Sequence, residues 1–168
     1  MAVLPVVQYP NEVLKTRARE VSKITDVERK LVRDMIDTMY AQNGVGLAAN
    51  QVGVLKQLFV ASADQVRGRE LVFFNPVLVK KTGTIKEFEG CLSVPEFYEP
   101  VKRAKKVWMR AMTMDGKTVE VKGEGLLSRI FQHEIDHLNG ILFIDRLGLL
   151  KGRHIKKKLT RRAAASQA

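Results

Sequence analysis

The ten residues FQHEIDHLNG, Phe131 to Gly140, constrain this chain more than any other stretch. His133 and His137 stand four apart, and residues at that spacing lie one above the other on a helix face. Glu134 projects beside them. Around these polar groups the segment is apolar, with Ile130, Phe131, Ile135 and Leu138. Such a helix has to be buried. Buried imidazoles and carboxylates are costly unless they are paired or bind metal. Other elements must therefore wrap this helix and bring partners to its histidines.

Two imidazoles with a carboxylate between them suit a metal site in which Glu134 acts as general base toward a water. Such a site usually has three protein ligands and one open position. The usual downstream completions are missing. The pattern H-E-x-x-H-x-x-G-x-x-H would need a histidine where Phe143 stands, and no glutamate follows Glu134. Asp136 falls on another face of the helix, Asp145 is expected to cap or pair near Arg146, and His154 lies in a basic tail. The third ligand must come from upstream, where Cys91 is the one soft, metal-avid side chain. A lone cysteine is most often a small buried hydrophobe. Here it sits in a Gly-flanked turn, EFEGCLSVP, which favours a chemical role; coordination would hold it as thiolate. The donor set suits zinc, iron(II), cobalt or nickel.

At 168 residues the chain is expected to form one domain, 1–168, with a basic terminal helix or tail at about 149–168. No segment reads as long and apolar enough to span a bilayer. The N-terminal MAVLPVVQYP has no basic residue before its apolar run and contains two prolines, so it does not read as a secretory signal. A cytoplasmic location without a membrane partner is expected. The net charge of +11 implies attraction to polyanions such as RNA. It concentrates in LLKGRHIKKKLTRR and in KRAKK, Lys102 to Lys106; solvated surface is an equal reading for each.

TDVERKLVRDMIDTMYAQNG predicts a helix, with Thr25 and Glu28 as a capping box and Asn43-Gly44 as its stop. QLFVAS, ELVFFNPVLVKK and TIKEF read as strands. KKVWMRAMTM and KTVEVKG form a hairpin about a two-residue Asp115-Gly116 turn. The motif helix runs from about Leu126 to Asn139, with Gly140 as its stop, and a basic helix begins near Leu149. The predicted class is α+β: mostly antiparallel β-sheets around the central HExxH helix, with an N-terminal and a basic C-terminal helix.

Three stretches then stand together: GVGLAANQVG (44–53), EGCLSVPE (89–96) and QHEIDHLNGILFIDR (132–146). In this order and separation they resemble the signature motifs of the peptide deformylases, over a region from YPNEVLK to about Arg146. The resemblance implies a metal-dependent hydrolase that removes the formyl group from the N-terminal formyl-methionine of newly made polypeptides. It implies one divalent ion, usually Fe(II), with Zn, Ni or Co able to take its place, on Cys91, His133 and His137. Glu134 would be the acid/base residue, and Gln51 and the Leu92 N–H would contact the formyl oxygen. Gly46 would lie beside the substrate backbone. Val45, Leu126 and Ile130 are the apolar candidates for the methionine pocket.

Two positions depart from the family pattern. Asn50 stands where proline is common. Arg129 stands where an apolar residue often borders the methionine pocket; its stem is expected to line the pocket while its charge reaches out. Two other readings are open: a metallopeptidase that cuts internal peptide bonds, and a nucleic-acid-binding module. The second combines with the first picture if the basic helix holds the enzyme on ribosomal RNA near emerging chains.

Overall fold

The structure, a computed structural model, describes residues 2–167, so Met1 and Ala168 of the predicted 1–168 domain and basic tail lie outside the described residues. Helix α1 spans Asp26–Ala41 and is followed by strands β1 (Gly46–Ala48), β2 (Leu58–Ala61), β3 (Leu71–Thr82), β4 (Ile85–Cys91), β5 (Val94–Arg103), β6 (Lys106–Met112) and β7 (Thr118–Glu124). Helix α2 covers Leu126–Leu138 and helix α3 Leu149–Ser166. The strands form a five-stranded sheet in the order β1-β2-β3-β6-β7 and a separate β4-β5 pair. Every ladder within them is antiparallel. The α+β class predicted from the sequence is thus observed.

The large sheet is a middle layer. In a strand, successive side chains point to opposite faces, and all four residues of β2 are buried. Phe59 and Ala61 join a core with Phe73, Met109, Phe131, Ile135 and Leu138, against α2. Leu58 and Val60 join a second core with Val32, Met35, Met39 and Phe74, against α1. Each fully buried large apolar side chain contributes about 1.5–3 kcal/mol relative to exposure. The rings of Phe59, Phe73 and Phe131 lie 5.6, 5.7 and 6.0 Å apart between centroids, so aromatic packing fixes α2 on the sheet. A third core joins Val94 and Val101 of β5, Phe143 and Ile144, and Ile155 and Leu159 of α3.

Local differences from the sequence reading have clear causes. The β6–β7 turn is longer than two residues: Thr113 N–H donates to Lys117 O at 2.9 Å, leaving Met114, Asp115 and Gly116 as the loop. Gly116 takes φ +80, the left-handed position of a three-residue hairpin. Strand β5 is not predicted, because Pro95 and Pro100 argue against it; both are tolerated because the two-stranded sheet leaves β5 an edge. After α1 it is Asn43, not Gly44, that takes a positive φ of +53. No helix among the described residues is long and apolar enough to cross a membrane.

The predicted capping box is formed. Thr25 N–H donates to Glu28 Oε2 at 2.8 Å, and Val27 N–H donates to Thr25 Oγ1 at 3.3 Å. Glu28 is buried and also pairs with Lys56 beside β2. Lys56, and after it Thr25, hold the Glu28 carboxyl down to about 2 from an ordinary 4.5. A carboxyl depressed in the folded state stabilises above its ordinary pKa, and that contribution fades as pH falls toward the folded value. Glu28→Gln removes it. The stability gap between wild type and Glu28→Gln, measured by urea unfolding, is expected to be widest at neutral pH. It should narrow between about pH 5 and about pH 3; a gap independent of pH would refute the assignment.

Candidate metal centre

The three predicted ligands converge. Cys91 closes β4, and its pairing with Val94 leaves Leu92 and Ser93 as a tight turn. This places Cys91 at the end of a strand rather than within a turn, and aims it at α2. Cys91 Sγ lies 3.1 Å from His137 Nε2, and the two histidine Nε2 atoms are 3.2 Å apart. The three donor atoms all lie within 4.8 Å of one another. One sulfur and two imidazole nitrogens turned toward a common point make a site for a divalent metal, and this soft-to-borderline donor set fits zinc, iron, cobalt or nickel.

Behind the ligands runs a buried ionic chain that the sequence reading did not contain. His133 Nδ1 lies 3.0 Å from Glu89 Oε2. Glu89 accepts two hydrogen bonds from Arg103, at 2.8 and 2.9 Å. Arg103 also donates to Asp136 at 2.5 Å, and Asp136 accepts two more from Arg146. Burial works against ionisation of Glu89, but Arg103 and then His133 hold its carboxyl down to about 2. A ligating histidine commonly bonds a carboxylate through its second nitrogen, which fixes tautomer and ring orientation. A register shift in the β4–β5 ladder falls between Glu89 and Cys91, yet both side chains reach α2. Arg103 was hidden in KRAKK, where it read as surface charge, yet its side chain is 2% exposed. Asp145 caps and pairs as expected: it accepts from the Leu142 N–H at 2.8 Å and binds Lys15 and Lys156.

The other predicted residues surround the cluster. A cavity of about 580 Å³ is lined by Val45, Gly46, Gln51, Leu92, Leu126 and Ile130 together with His133 and Glu134. The Gln51 carbonyl accepts from Ala48 N–H at 2.9 Å, which turns its amide nitrogen toward Ser93 Oγ (3.2 Å) and Cys91 Sγ (3.5 Å). Glu134 is buried, and its Oε2 has no hydrogen-bond partner. That burial pushes its carboxyl up to about 7. A Cβ at position 46 would come within 2.9 Å of Glu134 Cδ, so only glycine leaves this carboxylate its place. Asn50, one of the departures noted above, donates to the His137 carbonyl at 2.5 Å. It ties the 49–52 turn to the end of α2.

An antiparallel shell closed on a helix, with a cysteine–histidine cluster and an unpaired carboxylate facing one cavity, defines a metal-site hydrolase. The family described as polypeptide deformylase matches residues 3–153. The chain is 48% identical over 160 residues to peptide deformylase 1 of Pseudomonas syringae pv. tomato, covering 95% of each. The crystal structure of a peptide deformylase from Legionella pneumophila superposes with a TM-score of 0.91 at 40% identity, over 99% of this chain and 98% of that one. The peptide deformylase of Ehrlichia chaffeensis in complex with actinonin gives 0.88 at 37% identity, over 96% and 98%. This chain belongs to the peptide deformylase family of hydrolases.

The ionic chain generates a test in two parts. Glu89→Gln keeps the size but not the charge that orients His133, and is expected to weaken metal affinity about 10- to 100-fold in chelator competition. Arg103→Met leaves the buried Glu89 with only His133 and Asp136 with only Arg146, and should cost about 3–5 kcal/mol of unfolding free energy. Wild-type affinity in the first variant would show that Glu89 does not orient the ligand.

Proposed function

We propose that the whole chain acts as one metallohydrolase domain that cleaves N-formyl-methionyl nascent polypeptides in the cytoplasm, releasing formate and a free amino terminus. The observation that carries this reading is the meeting of three features in one cavity. These are the Cys91–His133–His137 cluster, the unpartnered Glu134 carboxylate and the Gln51 amide. Cys91, His133 and His137 would hold one divalent ion, Fe(II) by family resemblance, with Zn, Ni or Co as alternatives. When bound, the ion supplies Lewis acidity, which lowers the pKa of a water toward about 7 in favourable zinc sites.

Glu134 takes the proton of the attacking water, a role suited to a buried carboxyl whose pKa lies near the working pH. The oxygen adds to the formyl carbon. Gln51 Nε2 and the Leu92 N–H donate to the oxygen that gains charge. Removal of one such donor typically costs on the order of 100- to 1000-fold in rate. Glu134 then returns the proton to the leaving nitrogen as the C–N bond breaks. Val45, Leu126 and Ile130 receive the methionine side chain, and Gly46 lies along the substrate backbone.

Helix α3 supports a contact with ribosomal RNA. Its cations are sorted: Lys151, Lys156 and Arg162 pair with Glu99, Asp145 and Glu96 of the body. Arg153, Lys157, Lys158 and Arg161 are exposed and make no ion pair among the described residues. Removing the helix would also uncover Ile155 and Leu159, so charge substitution is the cleaner test.

Metal-loaded enzyme should release formate from formyl-Met peptides and leave unblocked peptides whole; cleavage of internal bonds would mean a peptidase. Glu134→Ala should keep its metal and lose at least about 100-fold in kcat, whereas Cys91→Ala should lose metal affinity or change metal preference. Anaerobic purification followed by metal analysis checks the ion. For α3, changing Arg153, Lys157, Lys158 and Arg161 to Gln should weaken co-sedimentation with ribosomes while small-peptide turnover stays the same. Undiminished co-sedimentation removes the RNA contact.

A further inference from the structure

Arg129 lies on α2 four residues before His133, on the same face as Leu126 and Ile130, and lines the cavity with them. Its Nη1 donates to the Phe88 carbonyl of β4 at 3.3 Å, so the guanidinium joins helix to strand at the exposed rim of the cavity. Its stem lines the cavity and its charge sits at the mouth, as expected from the sequence. The other charged groups of this cavity have set tasks. Glu89 is held by Arg103 and His133, Glu96 pairs with Arg162, and Glu134 stands at the metal cluster. Arg129 forms no ion pair among the described residues, and its single hydrogen bond leaves most of its five N–H donors unused. One helical turn, about 5.4 Å, separates it from His133. A first-residue side chain lying along Ile130 and Leu126 therefore passes Arg129.

We propose that Arg129 makes the far end of the first-residue pocket a hydrogen-bond donor, so that the enzyme accepts N-formyl-methionine sulfoxide as well as N-formyl-methionine. The inference rests on the deformylase reading above. Leu126, Ile130 and Val45 accept the apolar stem of either residue. Oxidation turns the thioether into a polar group with a strong acceptor oxygen. An apolar residue at this position offers that oxygen no protein donor, whereas a guanidinium can bond it. The bond that is cleaved is the same formyl C–N bond, and the sulfoxide leaves unchanged.

The test uses metal-loaded enzyme and three peptides that differ only in their first residue: formyl-methionine, formyl-norleucine and formyl-methionine sulfoxide, each followed by Ala-Ser. Wild type is expected to process the sulfoxide within about tenfold of methionine in kcat/KM. In Arg129→Leu the sulfoxide-to-methionine ratio should fall by on the order of tenfold or more, the scale of a lost charged hydrogen bond. Formate release from the norleucine peptide by Arg129→Leu, and its metal content, show that the variant is folded and loaded. Arg129→Lys should keep part of the sulfoxide activity. A ratio in Arg129→Leu equal to that of wild type overturns the proposal. Failure of wild type to release formate from any of the three overturns the deformylase reading itself.

Discussion

Arg103 is the residue on which the geometry of this site depends. Its guanidinium is buried between Glu89 of β4 and Asp136 of α2, so it joins the small sheet to the motif helix by charge-assisted hydrogen bonds. A buried arginine is tolerated only where its charge is matched. The two carboxylates supply the match, and Arg146 completes it from the far side of Asp136. Apolar packing fixes α2 on the large sheet, but the bonds to β4 are polar. The ionic chain sets the register that brings Cys91 within 3.1 Å of His137.

The Cys91–His133–His137 cluster was legible in the sequence because chemistry leaves few options. Two histidines four apart on an apolar helix have to be satisfied, and with Phe143 at the usual third position only Cys91 remained. The resemblance of three motifs then supplied Gln51, Leu92 and the pocket residues, which the structure gathers around one cavity. The supporting residues were not legible, for an equally physical reason. Arg103 sits among exposed lysines in sequence and is buried only through a long-range partner thirty-three residues away. Asn50 looked neutral because its one strong contact, the His137 carbonyl, is eighty-seven residues distant. Local patterns record which face a residue takes, and not which partner waits there.

The same contrast applies to the fold. Elements with one clear periodicity, α1 and α2 above all, fall where predicted. Strand β5 escaped because its prolines are permitted only by its place at a sheet edge, and that place is decided by tertiary pairing. Charge shows the limit most clearly. The cations of α3 look alike in sequence, yet three of them fasten the helix to the body and four face outward.

The division of the donor atoms between two layers has one more consequence. The sulfur belongs to a hairpin and both nitrogens to a helix, and neither element alone offers more than two donors. A chain in which β4 and β5 have not docked presents a two-donor site, and its hold on a cation is correspondingly poor. Ligands must also shed their protons, which a preformed cluster favours and a loose one does not. Retention of the ion therefore becomes a molecular quality check: only a polypeptide that has finished assembling its parts keeps its cargo.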